Sequence, residues 1–317
     1  MLRLAVKRLA LGAVVLWAVS IVVFLATQAL PADAARAILG RTATPERLAA
    51  LRAQLHLDQP LVTQYLSWLH GMVTFNPGTS LANQLPVSTF LGPRIVNSLV
   101  LMACAALVST PVAILIGTWS ALRRDRVADH ATSLVTLVLA ALPEFVVGII
   151  LVIALSTGLA HLLPAVFVST GSGPVWADPK QLVLPSLTLV VAIGPPIVRM
   201  MRATMIEVLE SEYVQQARLK GLPERTVLFR HALPNAVGPV AQVVALQLAW
   251  LAGGAVVVEY LFRYPGVGFA LVDAVHNRDL PVIQALSLLI AGLYIGVNLL
   301  ADLVSLATNP KLRTAVR

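Results

Sequence analysis

Long apolar runs without a charged residue constrain this chain more than any other feature of its sequence. Of its 317 residues, 58% are hydrophobic and 12% charged, whereas average soluble chains are about 45–50% apolar and about 25% charged. About 20 apolar residues cross a bilayer as a helix, and a helix satisfies its own backbone polar groups within lipid. We therefore predict an all-α integral membrane protein with six transmembrane helices. The charge-free runs are Leu9–Ala32, Ile95–Leu122, Gln181–Val198, Ala232–Val258 and Leu280–Ala301, and a sixth, Ala131–Ala160, is interrupted only by Glu144.

The first apolar run also has features of a signal peptide. Three basic residues precede it, and Ala32-Asp33-Ala34 offers a small-residue cleavage pattern. The apolar core of a signal peptide is about 7–15 residues long, and Leu9–Leu30 is longer. This length favours a retained first helix, with cleavage as the alternative.

The positions of the basic residues predict the orientation of the helices. Cytoplasmic loops of membrane proteins are enriched in Lys and Arg. With six spans, 15 of the 23 Lys and Arg residues fall in the two tails, the loop after the second span and the segment after the fourth. Both termini are therefore predicted to be cytoplasmic. The same distribution explains the net charge of +8 through contacts with lipid headgroups, and we expect no nucleic-acid partner.

The predicted spans divide the sequence into four parts. Residues 1–30 form the N-terminal tail and first helix, and residues 31–94 form an extracytoplasmic region. Residues 95–306 form the main transmembrane domain, and residues 307–317 form a cytoplasmic tail.

Two short helices are predicted in the extracytoplasmic region. Thr44-Pro45-Glu46 has the residue types of a helix start, with an N-cap, a proline in the first position and an acid in the first turn. A second helix is predicted at about Leu61–Met72, with Tyr65, Trp68 and Leu69 on one face.

The segment between the fourth and fifth spans has the most informative local pattern. We predict that the helix of the fourth span continues beyond the membrane to Ala217. Gly221 occupies the position of a left-handed residue that terminates a helix. Pro223 with Glu224 fits the first turn of a second helix, and Pro234 is predicted to end it. Such a short, partly apolar helix lies in the headgroup layer or binds a groove on a partner protein, and its shortness favours the partner.

This segment resembles the coupling motif of permease subunits of ABC (ATP-binding cassette) importers. In that family the motif is Glu-Ala-Ala, three residues, Gly, nine residues, and an ending similar to Ile-x-Leu-Pro. The chain keeps Ala217, Gly221, Leu233 and Pro234 at that spacing. It has Gln215 and Gln216 for Glu-Ala and His231 for the apolar residue, which resembles the peptide and nickel branch of the family.

Other fragments resemble the same branch, in the same order along the chain. The long first loop resembles that of the B-type subunit in a B/C permease pair. His56 stands where Gly is usual, and Asn309 replaces the more usual Asp. The matching fragments are Leu57-Asp58-Gln59-Pro60-Leu61, Pro143-Glu144-Phe145, Phe262–Gly268, Arg278–Gln284, Asn298–Asp302 and Asn309–Arg313.

The resemblance implies a type I ABC importer permease in the bacterial cytoplasmic membrane. Its partners would be a homologous second permease, two ABC ATPases and an extracytoplasmic substrate-binding protein. The ATPases would use ATP and Mg²⁺, while this chain would bind no cofactor. Closure of the ATPases around ATP would push on the coupling segment, residues 212–235, and rock the membrane helices. The residues to which the resemblance assigns coupling are Ala217, Gly221, Leu222, Pro223, Leu233 and Pro234.

Two motifs that would indicate ATP hydrolysis or zinc-dependent proteolysis by this chain are absent from the sequence. The chain has no Gly-x-x-x-x-Gly-Lys-Ser/Thr phosphate loop and no His-Glu-x-x-His zinc motif. None of its six histidines has a second histidine at helical ligand spacing. We expect a transport subunit rather than an enzyme, with no metal site, driven by the ATPases of its partners.

Glu144 is the ionisable residue that most suggests a translocation pathway. An acid facing lipid at mid-membrane depth costs about 2.5–3.5 kcal/mol, so Glu144 should face protein or water. It either lines the pathway or bonds to a neighbouring helix close to Pro143. Gln242 and Gln247 likewise either line a cavity or join membrane helices.

Three transport functions remain open at this point. Import of short peptides leads, and import of nickel or another small nutrient is the alternative within the family. A stand-alone secondary transporter would show inverted repeats and several charges at mid-membrane depth. The sequence shows no inverted repeat, and Glu144 is the one charged residue that interrupts a predicted span.

Overall fold

The computed structural model of the chain describes residues 2–28, 44–54, 59–158, 162–168 and 173–308. The fragments at Ala32–Ala34, His56–Asp58 and Asn309–Arg313 lie outside the described residues. Within the described ranges the chain is helical, with turns and an isolated β-bridge between Thr79 and Pro86. The predicted all-α fold is confirmed for this part of the chain.

Twelve α-helices are named below in chain order. They are α1 (Leu2–Gln28), α2 (Pro45–Gln54), α3 (Leu61–Val73), α4 (Val87–Leu122), α5 (Val127–Ala141), α6 (Glu144–Val152), α7 (Lys180–Leu209), α8 (Glu212–Leu219), α9 (Glu224–Thr226), α10 (Leu233–Leu261), α11 (Val267–His276) and α12 (Leu280–Thr308). Two π-helical turns, Ile153–Thr157 and Val227–Ala232, and a 3₁₀ turn, Val175–Ala177, complete the order.

Five of the six predicted spans are continuous helices long and apolar enough to cross a membrane. They cover Val6–Thr27, Val87–Leu122, Lys180–Leu209, Glu224–Leu261 and Leu280–Leu300. The run predicted as a single third span is instead two helices, α5 and α6, with a bend of 107° between them. Pro143 causes the break, because it lacks an N–H group and holds the preceding Leu142 in an extended conformation (ψ 131°). The described residues therefore contain six spans if the bent pair crosses as one.

The chain divides into two compact units. The larger unit contains residues 99–264 and the chain from Gly296 onward, and the smaller unit contains Leu2–Ser98 and Pro265–Ile295. Two long helices, α4 and α12, contribute residues to both units.

In the larger unit, α7 contacts α5, α6 and α10. Small residues allow the close approach of its neighbours. A Cβ atom added at Gly117 of α4 would lie 2.7 Å from the Cβ of Met201 and from the carbonyl oxygen of Val198 on α7. The buried core between these helices consists of Ala113, Ala121, Ile197, Val198, Met201, Met205, Ala232, Ala236 and Val240.

Both helices predicted in the first loop are present in the smaller unit. The Thr44 hydroxyl accepts a hydrogen bond from the Arg47 N–H at 3.3 Å, which confirms the N-cap of α2. α3 corresponds to the second predicted helix and extends one residue further, to Val73. The core of this unit comprises Val87, Val267, Ala270, Ala274, Val282, Ala285 and Leu286.

A buried carboxylate holds the loop before α4 in the smaller unit. Asp279, directly before α12, accepts hydrogen bonds from the N–H groups of Leu81 (3.1 Å) and Ala82 (3.3 Å) and from the Ser80 hydroxyl. These are three neutral donors. The loop is thus attached to the start of a helix that lies about 200 residues later in the sequence.

Candidate functional site

The coupling segment begins with a helix separate from the one that precedes it. α7 ends at Leu209, and α8 starts at Glu212 with Ser211 in an extended conformation (ψ 149°) before it. The predicted continuation of the α7 helix to Ala217 is therefore wrong. Ser followed by Glu is a common helix start, so the sequence did contain a signal for this break.

Gly221 terminates α8 in the predicted left-handed conformation, with a φ of +79°. The N–H of Gly221 donates to the carbonyl of Arg218 at 2.9 Å, and the N–H of Leu222 donates to the carbonyl of Ala217 at 3.4 Å. These two bonds form a Schellman motif. No atom lies within 4 Å of a Cβ added at Gly221, so its conformation rather than crowding favours glycine here.

A small apolar cluster fixes the folded shape of the coupling segment. Val214 and Ala217 of α8 are buried against Val227, with Val208 and Leu209 of α7 packed beside them. Ala217 therefore contributes to the internal packing of the segment. Its side chain lies beneath the surface that the segment presents to solvent.

An ion pair closes the turn between α8 and α9. The Arg218 guanidinium donates two hydrogen bonds to the Glu224 carboxylate, at 2.8 Å and 3.4 Å. Pro223 lies between the two helices as the N-cap of α9 (ψ 143°) and not within its first turn. Because both charged side chains are exposed, the pair contributes about 0–1 kcal/mol to stability. The pair spans the turn from the last turn of α8 to the first residue of α9.

Apolar side chains remain exposed on the outer surface of this folded segment. Leu219 is 81% exposed at the end of α8, and Leu222 and Phe229 are also exposed. Tyr213 adds an aromatic side chain at the start of α8. We use the name apolar patch for these four exposed side chains, Tyr213, Leu219, Leu222 and Phe229. Exposed apolar side chains on a short segment of fixed shape are suited to bind a protein groove.

The helix continues through Pro234, so the prediction that Pro234 ends a helix is wrong. Helical residues run without interruption from Glu224 to Leu261. The π turn before Pro234 accommodates the missing N–H group, because the Leu233 N–H bonds to the Leu228 carbonyl five residues earlier. The side-chain amide of Asn235 donates to the His231 carbonyl at 2.7 Å. Pro234 is exposed, and Leu233 is half-buried against the core of the larger unit.

A buried carboxylate, Asp129, connects the last part of α7 to two neighbouring helices. Arg202 of α7 binds the buried Asp129 of α5 through two contacts, at 2.5 Å and 2.6 Å. Asp129 also accepts from the Ser120 hydroxyl at 2.6 Å and from the Asp125 N–H at 3.1 Å. This arrangement links α4, α5 and α7 just before the coupling segment. The sequence alone does not reveal this pair, because its partners are 73 residues apart and no local pattern connects them.

A further ion pair links the same region on its exposed side. Arg124, in the turn between α4 and α5, pairs with Glu210 at the end of α7. The two side chains are 47% and 64% exposed. The end of α7 is therefore attached to the first turn of α5 by the pair with Asp129 and to the α4–α5 turn by the exposed pair.

The three pathway candidates are half-buried side chains on α6 and α10. Glu144 is half-buried in the first turn of α6, directly after the bend at Pro143. Gln242 and Gln247 are half-buried on α10. An apolar cavity of about 610 Å³ between α4, α10 and α12 is lined by other residues of α10, among them Ala241 and Leu248. None of the three candidates lines it, and their role remains a prediction.

The described residues contain no group of three or more His, Cys, Asp or Glu side chains that could hold a metal ion. The expectation that this chain binds no metal or cofactor remains a prediction for the whole protein.

Comparison with known proteins identifies related chains over nearly the whole length of the sequence. A family described as binding-protein-dependent transport system inner membrane component matches residues 113–314, and the N-terminal family of the same transport components matches residues 1–101. A probable peptide ABC transporter permease protein of Sinorhizobium fredii is 34% identical over 97% of this chain and 98% of its own length. The glutathione transport system permease protein of Escherichia coli K12 is 35% identical over 99% of both chains. The corresponding protein of Salmonella choleraesuis is 36% identical over the same shares.

Proposed function

Because this chain belongs to the family of binding-protein-dependent transport system inner membrane components, we propose that it is the permease subunit of an ATP-driven importer of short peptides. It is a multi-pass protein of the bacterial cytoplasmic membrane. The substrate class is supported by relatives named as peptide and glutathione permeases. Nickel or another small nutrient is the alternative substrate.

The observation that carries the coupling role is the apolar patch on the coupling segment. The Schellman turn at Gly221 and the pair between Arg218 and Glu224 hold Leu219 and Leu222 in place. Phe229 is exposed on the helix that follows. This surface would enter a groove on an ABC ATPase, where burial of its side chains contributes about 25 cal/mol per Å² of apolar surface removed from water.

Two structural connections would transmit a displacement of the apolar patch to the membrane helices. The helix that contains Phe229 continues to Leu261 without interruption. At the end of α7, the pair between Arg202 and Asp129 connects the segment to α4 and α5. A displacement of the coupling segment would therefore move α7, α10 and α5 together, as rigid-body alternation requires.

The complete importer would contain this chain, a homologous second permease, two ABC ATPases and an extracytoplasmic substrate-binding protein. The ATPases would bind and hydrolyse ATP with Mg²⁺, since this chain has no phosphate loop. The coupling segment and both termini would lie in the cytoplasm. Glu144, at the bend between α5 and α6, would face the pathway together with Gln242 and Gln247.

Uptake measurements test the substrate class. Labelled di- and oligopeptides, with nickel in parallel, are supplied to cells with and without this chain. We expect deletion to abolish peptide uptake and the intact gene to restore it. Loss of nickel uptake alone would assign the alternative substrate, and no change in either would contradict both.

Substitution of Gly221 tests the coupling role. We expect Gly221→Asp to abolish transport and to lower the amount of ATPase that co-purifies with the chain, while membrane insertion is unchanged. The chain offers a matched control in Gly78, which also has a positive φ (+90°) and open space around its Cβ position. Gly78→Asp introduces the same side chain and a similar backbone strain outside the coupling segment, and it should retain the ATPases. Normal transport by Gly221→Asp, or equal ATPase loss in both variants, would show that the assignment is wrong.

A further inference from the structure

α3 is attached to the side of the first membrane span. The Tyr65 hydroxyl lies 2.8 Å from the Ser20 hydroxyl of α1. The ring of Phe24 lies 5.4 Å from the Tyr65 ring and 5.7 Å from the Trp68 ring, measured between centroids. These contacts fix α3 against α1 through one face.

The contact lies within the apolar length of α1 and not beyond its end. The span covers Val6–Thr27, so Phe24 and Ser20 precede its last residue by three and seven positions. At 1.5 Å per residue they lie about 4–10 Å inside that end. This is the depth of the boundary between the lipid headgroups and the acyl chains.

The rest of the α3 surface divides into an apolar stripe and a polar stripe. At 100° per residue, Val62, Leu66 and Val73 lie together on one side, and they are 69%, 57% and 70% exposed. Thr63, Ser67 and His70 lie together on the next side and are also exposed. The helix contains no Lys, Arg, Asp or Glu. α3 therefore has one face toward the protein, one apolar face and one polar face.

We propose that α3 lies in the plane of the bilayer interface, with its apolar stripe against lipid acyl chains and its polar stripe toward water. With 13 residues it is about 20 Å long and too short to cross the membrane. α1 also exposes apolar side chains on its other sides, among them Val22 and Leu25, as a span that faces lipid does. Tyr and Trp side chains are enriched at this depth, as at Tyr65 and Trp68. Under the proposed topology this is the outer leaflet.

The occupant of the apolar stripe is lipid rather than a protein. Because α3 contacts α1 within the apolar length of that span, whatever covers the stripe lies at the depth of the bilayer interface, where lipid is the surrounding medium. Phe75, which follows the helix with a positive φ of 57°, extends the exposed apolar surface by another aromatic side chain. The first loop thus has a membrane-bound element that holds it at a fixed depth.

Spin-label accessibility tests this inference without a transport assay. Cys104 is the only cysteine, so Cys104→Ala gives a background for single labels at Val62, Leu66 and Val73 and for matched labels at Thr63, Ser67 and His70. The full complex is placed in phosphatidylcholine–phosphatidylglycerol vesicles, and collisions with oxygen and with a water-soluble nickel chelate are measured.

We expect oxygen to dominate at the three apolar positions and the nickel chelate at the three polar positions, so that the ratio alternates with helical periodicity. Nickel access at all six positions would place α3 in water and overturn the inference. Low access of both reagents at the apolar positions would mean that protein covers them and would also overturn it. Because this readout does not depend on substrate or ATP, it can fail while the proposed function holds.

Discussion

Two buried aspartates, one in each compact unit, are stabilised in different ways. Asp129 of the larger unit is 1% exposed and binds the guanidinium of Arg202 together with a hydroxyl and a backbone N–H. Asp279 of the smaller unit is 3% exposed and binds one hydroxyl and two backbone N–H groups. Among the described residues, no cationic side chain pairs with Asp279. The first site is ionic and the second depends on neutral donors.

The two aspartates also differ in the parts of the protein that they connect. Asp129 connects side chains on three helices beside the coupling segment, where the proposed mechanism requires movement. The attraction between opposite charges falls only slowly with distance, so this connection tolerates small displacements. Asp279 holds backbone N–H groups of a loop, and such bonds weaken steeply when their geometry changes. We interpret the first site as a connection between moving helices and the second as a fixed attachment.

The largest effect is expected for Arg202→Met. This change leaves the Asp129 carboxylate buried without a countercharge, which costs about 3–5 kcal/mol. The melting temperature of the purified complex in detergent should fall strongly. Arg202→Lys keeps the charge but loses the two-point contact, and it should lie between wild type and Arg202→Met. An unchanged melting temperature for Arg202→Met would show that the charge of Arg202 does not stabilise the buried Asp129, and would contradict the description of this site as ionic.

An intermediate effect is expected for Asp279→Asn. The amide retains one acceptor oxygen but places an NH₂ group near the N–H donors, at a cost of about 1–3 kcal/mol. Hydrogen exchange at Leu81 and Ala82 should become faster, while exchange in the larger unit stays the same. Asp273→Asn, at an exposed position of α11, is the matched control. Equal exchange in both variants would contradict the assignment of Asp279 as the attachment of this loop.

The smallest effect is expected for Arg124→Met. Its ion pair with Glu210 is largely exposed, so its loss should change stability by about 0–1 kcal/mol. Salt should screen most of this contribution, and a melting curve at two salt concentrations measures it. A loss as large as that of Arg202→Met would mean that burial is not what separates the two pairs.

The sequence predicted those features that depend on local chemistry. Apolar length located five continuous spans, and Thr44 marked the start of α2. The Gly221 position predicted a left-handed residue, which the backbone confirms. Each of these signals is contained within one turn or one run of residues.

The features that were missed depend on competition between local signals or on distant contacts. Pro143 divides the third run and Ser211 starts a new helix, although apolar periodicity continued across both. Pro234 was expected to end a helix, but a π turn absorbs its missing N–H group. The pair between Asp129 and Arg202 brings together residues from two different helices, and neither position is distinctive without its partner.

The uninterrupted helix from Glu224 to Leu261 has a geometric consequence. Its 38 residues correspond to a length of about 57 Å at 1.5 Å per residue. If the helix moves as one body, a tilt of about 5° about one end displaces the other end by about 5 Å on that length. A rotation of a few degrees at the end that carries Phe229 would thus displace the far end of the helix, at the opposite membrane surface, by about the width of a side chain.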